Sequence, residues 1–170
     1  MANNNESLRD LFVDQLKDLY WAETQSIQIW PSIAAAASDD DLREALDDHI
    51  GKTHRHIERL RMVFDHVGIP PEAETCQAMR GLMAEAQDAI KDYDDPTVRD
   101  AALITAVQRM EHYEMAGYGT VRTFADVLGY DEVAGILQQT LDEEGSADHK
   151  LTDIAVGGFF SKGINQVAAE

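Results

Sequence analysis

An all-α bundle of four long helices, with one long crossover carrying a short fifth helix, is the fold this sequence predicts. Apolar residues recur at spacings of three and four over stretches far longer than a strand, and strand signals are nearly absent. Turn chemistry falls so that two helical hairpins are separated by one long connection. The chain of 170 residues, 44% apolar with 4 Pro and 11 Gly, can bury a substantial core as one domain.

Ser7 and Asp10 resemble a capping box ahead of an apolar stripe through Phe12, Leu16, Leu19, Ile27 and Trp30 towards Ala37. Pro31 is expected to kink this first helix, because its ring meets the carbonyl one turn back. Ser38 and Asp39 can cap a second helix with the seam Leu42, Leu46, His49, Thr53, His56, Leu60, Val63 and Val67. Gly68 ends it and IPPEAE breaks the chain. A shorter amphipathic segment from about Cys76 to Tyr93 carries Met79, Leu82, Met83, Ala86 and Ile90. Asp94 or Asp95 caps the next long helix, with Pro96 in its first turn and Gly129 at its end. The last long helix spans about Asp131 to Val156. Residues 1–156 are thus expected to form the bundle domain and residues 157–170 a loose C-terminal tail, which Phe159 and Phe160 can pin. A long link between the second and third long helices is the ferritin-like topology, and an up-and-down bundle with short loops leaves that link unexplained.

Charge narrows the partners. With 32 Asp+Glu against 14 Lys+Arg the formal net charge is -18, so nucleic-acid phosphates and anionic lipid are repelled and cations are the natural small partners. No apolar run approaches the length that spans a bilayer, and MANNNESLRD lacks the basic and apolar regions of a signal peptide. The expected compartment is the cytoplasm, with which the single Cys76 agrees, since it has no internal partner for a disulfide.

The segment QRMEHYEMAGYG carries the chemical signal. Ile104, Val107, Val121, Ala125 and Leu128 mark an apolar seam, yet the seam positions between them are Glu111 and Glu114. The other long helices are interrupted in the same way: by Glu23 in the first, by His49, Thr53 and His56 in the second, and by Glu144, with Asp148 four residues on, in the last. Each interruption lies near the middle of its helix, so helices of similar length packed side by side bring these groups to one level. Uncompensated carboxylates in an apolar core cost several kcal/mol each. The cluster therefore needs protons, basic side chains or metal cations, and two divalent ions would neutralise about four carboxylates while imidazole supplies nitrogen ligands.

The segments DLYWAETQ, HIERLRMVF, RDAALITAVQRMEHYEMAGYGTVRTFADVLG and TLDEEGSADHKLTDIA resemble the YciF/DUF892 family of ferritin-like proteins, over nearly the whole chain to about residue 156. The resemblance implies a rubrerythrin-like dimetal centre, a homodimer and a link to stress responses. Matched by motif, Glu23, Glu111, Glu114, Glu144 and Asp148 take the family's acidic positions. The second helix departs from the pattern: HIGKT stands where relatives commonly carry HLEET, so Lys52 occupies the expected carboxylate position and Gly51 adjoins it. His56 is then the preferred ligand from that helix, while His49 reads as a hydrogen-bonded core histidine. His54, His112 and His149 fall off the seam. Tyr20, Tyr113 and Tyr118 are expected to donate hydrogen bonds to carboxylates, Met79, Met83 and Met110 to fill core, and Cys76 to sit at a helix start without a catalytic base.

The predicted function is a ferritin-like protein holding iron or manganese, as a dinuclear centre that reacts with dioxygen or peroxide. Its metal ligands are expected among Glu23, His56, Glu111, Glu114, Glu144 and Asp148. The competing expectation is a non-enzymatic, stress-related bundle whose centre has become an ion-pair network between Lys52 and the carboxylates.

Overall fold

Each of the first four helices begins where a side chain accepts the orphan amides of the opening turn. In the computed structural model, which describes residues 7–158 and 161–170, Ser7 accepts from Asp10 N at 3.1 Å and opens α1 (Leu8–Ala36). Asp39 accepts from Leu42 N at 2.9 Å before α2 (Asp40–Val67). The Cys76 thiol does the same for Met79 N before α3 (Gln77–Asp92), and Asp95 for Thr97 N and Val98 N before α4 (Pro96–Leu128). α5 (Asp131–Val156) follows after a tight turn. Gly68 and Gly129 close α2 and α4 at φ 75° and 78°, a left-handed conformation that costs glycine little. α1 runs through Pro31 as one helix, with the proline on its exposed side.

The four long helices form a closed ring of neighbours, α1 against α2, α2 against α5, α5 against α4 and α4 against α1. Cross-links along their length show that ring neighbours run antiparallel. Phe12 near the start of α1 stacks on Tyr130 after α4, whereas Ser38 after the end of α1 meets Asp100 near the start of α4. His66 and Asp48 of α2 likewise meet Glu132 and Lys150 of α5. α2 and α4 are therefore parallel and diagonal, so the chain must travel the length of the bundle between them. α3 makes that journey, packed on α1 and α4. This is the four-helix bundle with a helical crossover expected from the sequence.

The tail is better ordered than expected. Phe159 and Phe160 lie outside the described residues, but Gly157 bridges to Lys162, and the short helix α6 (Ile164–Val167) packs on α4 and α5 with Ile164 buried. Gly157 adopts φ 78°, and a Cβ there would lie 2.2 Å from Gly163 N, so this turn requires glycine twice over.

One buried side chain ties the hairpins together at the end of the bundle where α1 meets α2. The buried Asp100 carboxylate of α4 accepts from Ser38 N at 2.8 Å, Asp39 N at 2.8 Å and the Ser38 hydroxyl at 2.5 Å, satisfying amides of the α1–α2 turn. Asp100→Ala is expected to destabilise the protein by roughly 2–4 kcal/mol, because three donors lose their acceptor at once. Denaturant unfolding measures this, and a loss below about 0.5 kcal/mol would show that water replaces the carboxylate without cost.

Candidate metal centre

The apolar core is divided. One cluster gathers Trp30, Ile33, Leu42, Leu46, Met79 and Leu103 near the α1–α2 turn, and the other gathers Phe12, Leu16, Leu60, Phe64, Val121 and Leu137 towards the opposite end. Between them lies a buried polar level comprising Glu23 and Ser26 of α1, His49, Thr53 and His56 of α2, Glu111 and Glu114 of α4, and Thr140 and Glu144 of α5. Apart from Ser26 and Thr140, these are seam interruptions of the sequence, brought to one height by the antiparallel packing. α1 comes close to α4 here, at Gly117, where a Cβ would stand 2.7 Å from Leu19 Cδ2.

Two triads of potential ligands emerge. One ligand atom from each of Glu23, His56 and Glu144 lie within 4.8 Å of one another, and the same holds for His49, Glu114 and Glu144. Glu144 belongs to both. His56 Nδ1 stands 2.9 Å from Glu144 Oε1 and 3.3 Å from Glu23 Oε1. Neither approach is aligned as a hydrogen bond, and His56 Nδ1, both Glu144 oxygens, both Glu114 oxygens, Glu111 Oε2 and His49 Nδ1 have no hydrogen-bond partner. So many unpartnered oxygen and nitrogen atoms converging in a buried interior could hold a metal ion.

The other predicted residues divide. Glu111 is buried with Oε1 3.6 Å from His49 Nδ1, at the edge of the second triad. Asp148 stands apart: its carboxylate accepts from Gln108 Nε2 and pairs with the exposed His112, both at 3.0 Å on the flank between α4 and α5. The structure does not bring it to the cluster, because four residues beyond Glu144 overshoots a full turn by about 40°. His49, read from sequence as a hydrogen-bonded core histidine, instead joins the second triad with its Nδ1 unpaired. His54, His112 and His149 are exposed, as their off-seam positions predict.

Glu143 was invisible to the seam argument and completes the first triad from outside. Its carboxylate lies 3.0 Å from His56 Nε2 and receives Arg59 at 2.6 Å and 3.0 Å, with Arg55 3.9 Å away. That grip, from Arg59 first and His56 next, holds the Glu143 acid down at about 2. An ionised carboxylate only accepts, so Nε2 carries a proton and Nδ1 is the nitrogen turned to the cluster. On the other side, the Tyr118 hydroxyl donates to Glu23 Oε1 at 2.6 Å. The expected tyrosine-to-carboxylate bond is thus made by Tyr118, and by Tyr113 to Asp18, whereas the Tyr20 hydroxyl accepts from Arg61.

Lys52 is half-buried and, among the described residues, forms no ion pair with any carboxylate. It lines a small cavity with His49, Glu111, Asp48 and Lys150, and acts on His49 and Glu111 through its field alone. The Lys52–carboxylate network expected on the competing reading is not formed, since the long side chain keeps its ammonium beside the cluster and not within it.

Burial governs the protons of the metal-free cluster. It drives the Glu111 acid up to about 9, assisted by the charges of Glu144 and Asp148, and raises Glu114 well above the carboxylate range alongside Glu23 and Glu144. Burial also holds His49 down at about 4. For His56 burial works the same way, but Glu144 and Glu23 override it and lift the imidazole to about 10. From about pH 7 to 9 the folded protein therefore keeps protons on Glu111 and His56 that the unfolded chain, with ordinary values of 4.5 and 6.5, has released. More protons bound in the folded state means that stability falls as pH rises. The Tm of the metal-free protein is expected to drop across this window, and Glu111→Gln to flatten the slope. A Tm independent of pH in the unmodified protein would show that the cluster does not hold these protons.

Comparison with known proteins agrees with the fold. The sequence model of DUF892, a domain of unknown function, matches residues 7–169. The chain is 40% identical to protein YciF of Escherichia coli (strain K12) over 164 residues, covering 96% of this chain and 99% of that protein. The crystal structure of the E. coli stress protein YciF superposes with a TM-score of 0.86 at 41% identity, covering 89% of this chain and 96% of the other. YcfI from Rhodopseudomonas palustris superposes with a TM-score of 0.89 at 36% identity, covering 91% and 99%. The chain belongs to the DUF892 family.

Proposed function

We propose that this chain is a ferritin-like metal-binding protein whose centre takes two ions of iron or manganese and reacts with dioxygen or peroxide in stress protection. The observation that carries the reading is the pair of buried triads, Glu23–His56–Glu144 and His49–Glu114–Glu144, with their unpartnered oxygen and nitrogen atoms. Glu111 is the further carboxylate within reach of the second triad, while Asp148, proposed as a ligand from its motif, acts at most through His112 and Gln108. Bound there, a reduced metal pair would supply electrons to dioxygen or peroxide. The chain's own residues orient and shield the site. Tyr118 holds Glu23, Glu143 and Arg59 hold His56, and the two apolar halves of the core keep bulk water from the level between them.

The stress role is supported by similarity to a relative described as a stress protein. A homodimer is carried over from the family resemblance, and a cytoplasmic setting is supported by the single cysteine. No helix among the described residues is long and apolar enough to cross a membrane, and the net charge of -18 disfavours nucleic acid.

Added Mn(II), or Fe(II) without oxygen, is expected to raise the Tm, because an ion that binds only the folded chain stabilises it by about 3 kcal/mol at a hundredfold excess over its Kd. Glu144→Ala, which removes a ligand from both triads, is expected to abolish the rise and the consumption of dioxygen or peroxide by the iron-loaded protein. Identical melting curves with metal and with chelator would overturn the metal reading. A rise in Tm without oxidant consumption would limit the function to binding.

A further inference from the structure

The two triads share Glu144 but are supported differently. In the first, both outer ligands are held from behind: Glu23 by the Tyr118 hydroxyl at 2.6 Å, and His56 by Glu143 at 3.0 Å, itself locked by both Arg59 nitrogens. Nδ1 of His56 is thereby turned towards Glu23 and Glu144 before any ion arrives. In the second, neither oxygen of Glu114 nor Nδ1 of His49 has a hydrogen-bond partner, and the His49 ring meets Trp30 and His56 edge-on at 4.6 Å and 6.5 Å between centroids. Lys52 lines the small cavity beside His49 and Glu111, where an ion in the second triad would sit near its charge.

Two physical effects then act in the same direction. Ligands already oriented by neighbours lose less freedom on binding, which favours the first triad. The ammonium of a half-buried lysine lining this cavity repels a nearby cation with less screening than bulk water would provide, which disfavours the second. Resting on the reading of this cluster as a dinuclear centre, we propose that its two positions are unequal: Glu23–His56–Glu144 fills first, and His49–Glu114–Glu144 is a weaker second position whose affinity Lys52 sets. At limiting metal the chain holds one ion. The pair assembles only when free metal is plentiful, so Lys52 makes formation of the reactive centre depend on metal supply.

Calorimetric titration of the full-length, metal-free protein with Mn(II) alone tests this. The unmodified chain is expected to bind in two steps whose Kd values differ at least about tenfold. Lys52→Gln is expected to tighten the second step about tenfold and leave the first within about twofold. Lys52→Arg, which keeps the charge, is expected to retain the weak second step, an outcome that a purely structural role for the side chain would not produce. Glu143→Gln is expected to weaken the first step about tenfold or more and spare the second. Lys52 is partly solvent-exposed, so its variants test the proposal even if a Glu143 variant folds poorly. Two ions bound in one indistinguishable step, or a second step unmoved by Lys52→Gln, would overturn the inequality while leaving the metal reading intact. Binding of no ion by any of these proteins would overturn both.

Discussion

Four carboxylates that have lost water and face one another across a bundle interior are the constraint around which this molecule is organised. Glu23, Glu111, Glu114 and Glu144 occupy one level with two imidazoles, and a single uncompensated buried carboxylate costs several kcal/mol against a total stability of about 5–15 kcal/mol for a typical domain. Without metal the repulsion is relieved by protons, on Glu111 and Glu114 and on His56, and by the hydrogen bond from Tyr118. With divalent cations the same protons would leave. The apolar clusters above and below this level supply the packing that offsets it, anchored by the fully buried Trp30, Phe12 and Phe64.

The cluster exists only if four helices keep register, and the fold locks register at both ends. Asp100 joins the start of α4 to the α1–α2 turn, and Phe12 stacks on Tyr130 at the other end, so Glu23 is held opposite Tyr118 and Glu114. A slip of one residue on α4 would rotate Glu114 about 100° away from its partners. The crossover follows from the same requirement. Antiparallel ring neighbours leave α2 and α4 parallel, and α3 returns the chain while covering α1 and α4. The cap of α3 reaches the centre's surroundings only indirectly: the Cys76 thiol, raised by burial, accepts from Met79 N and donates to the Tyr113 hydroxyl one position before Glu114.

Local chemistry made the elements legible. Ser7, Asp39 and Asp95 cap the helices assigned to them, Gly68 and Gly129 end theirs, and Cys76 opens the crossover helix, since caps and left-handed turns depend on a few neighbouring residues. Seam periodicity also placed Glu23, His56, Glu111, Glu114 and Glu144 inside, because a helix of fixed pitch decides which face a side chain shares. It could not separate Asp148 from them, as an angular offset of about 40° is within the width of an apolar stripe. Glu143 carried no seam signal at all, for it lies about 100° from Glu144 and faces α2 only once α5 is docked.

The sequence by itself therefore determined the helices, their buried faces and the presence of a carboxylate–imidazole level, all consequences of spacing along one chain. Only the tertiary structure decided that His49 joins Glu114 and Glu144, that Glu143 and Arg59 hold His56, and that Lys52 stands beside Glu111 unpaired. Those relations depend on interhelical distance and rotation. Both arise from the summed packing of residues far apart in sequence, and a shift of a single ångström or a few tens of degrees exchanges a ligand for a bystander.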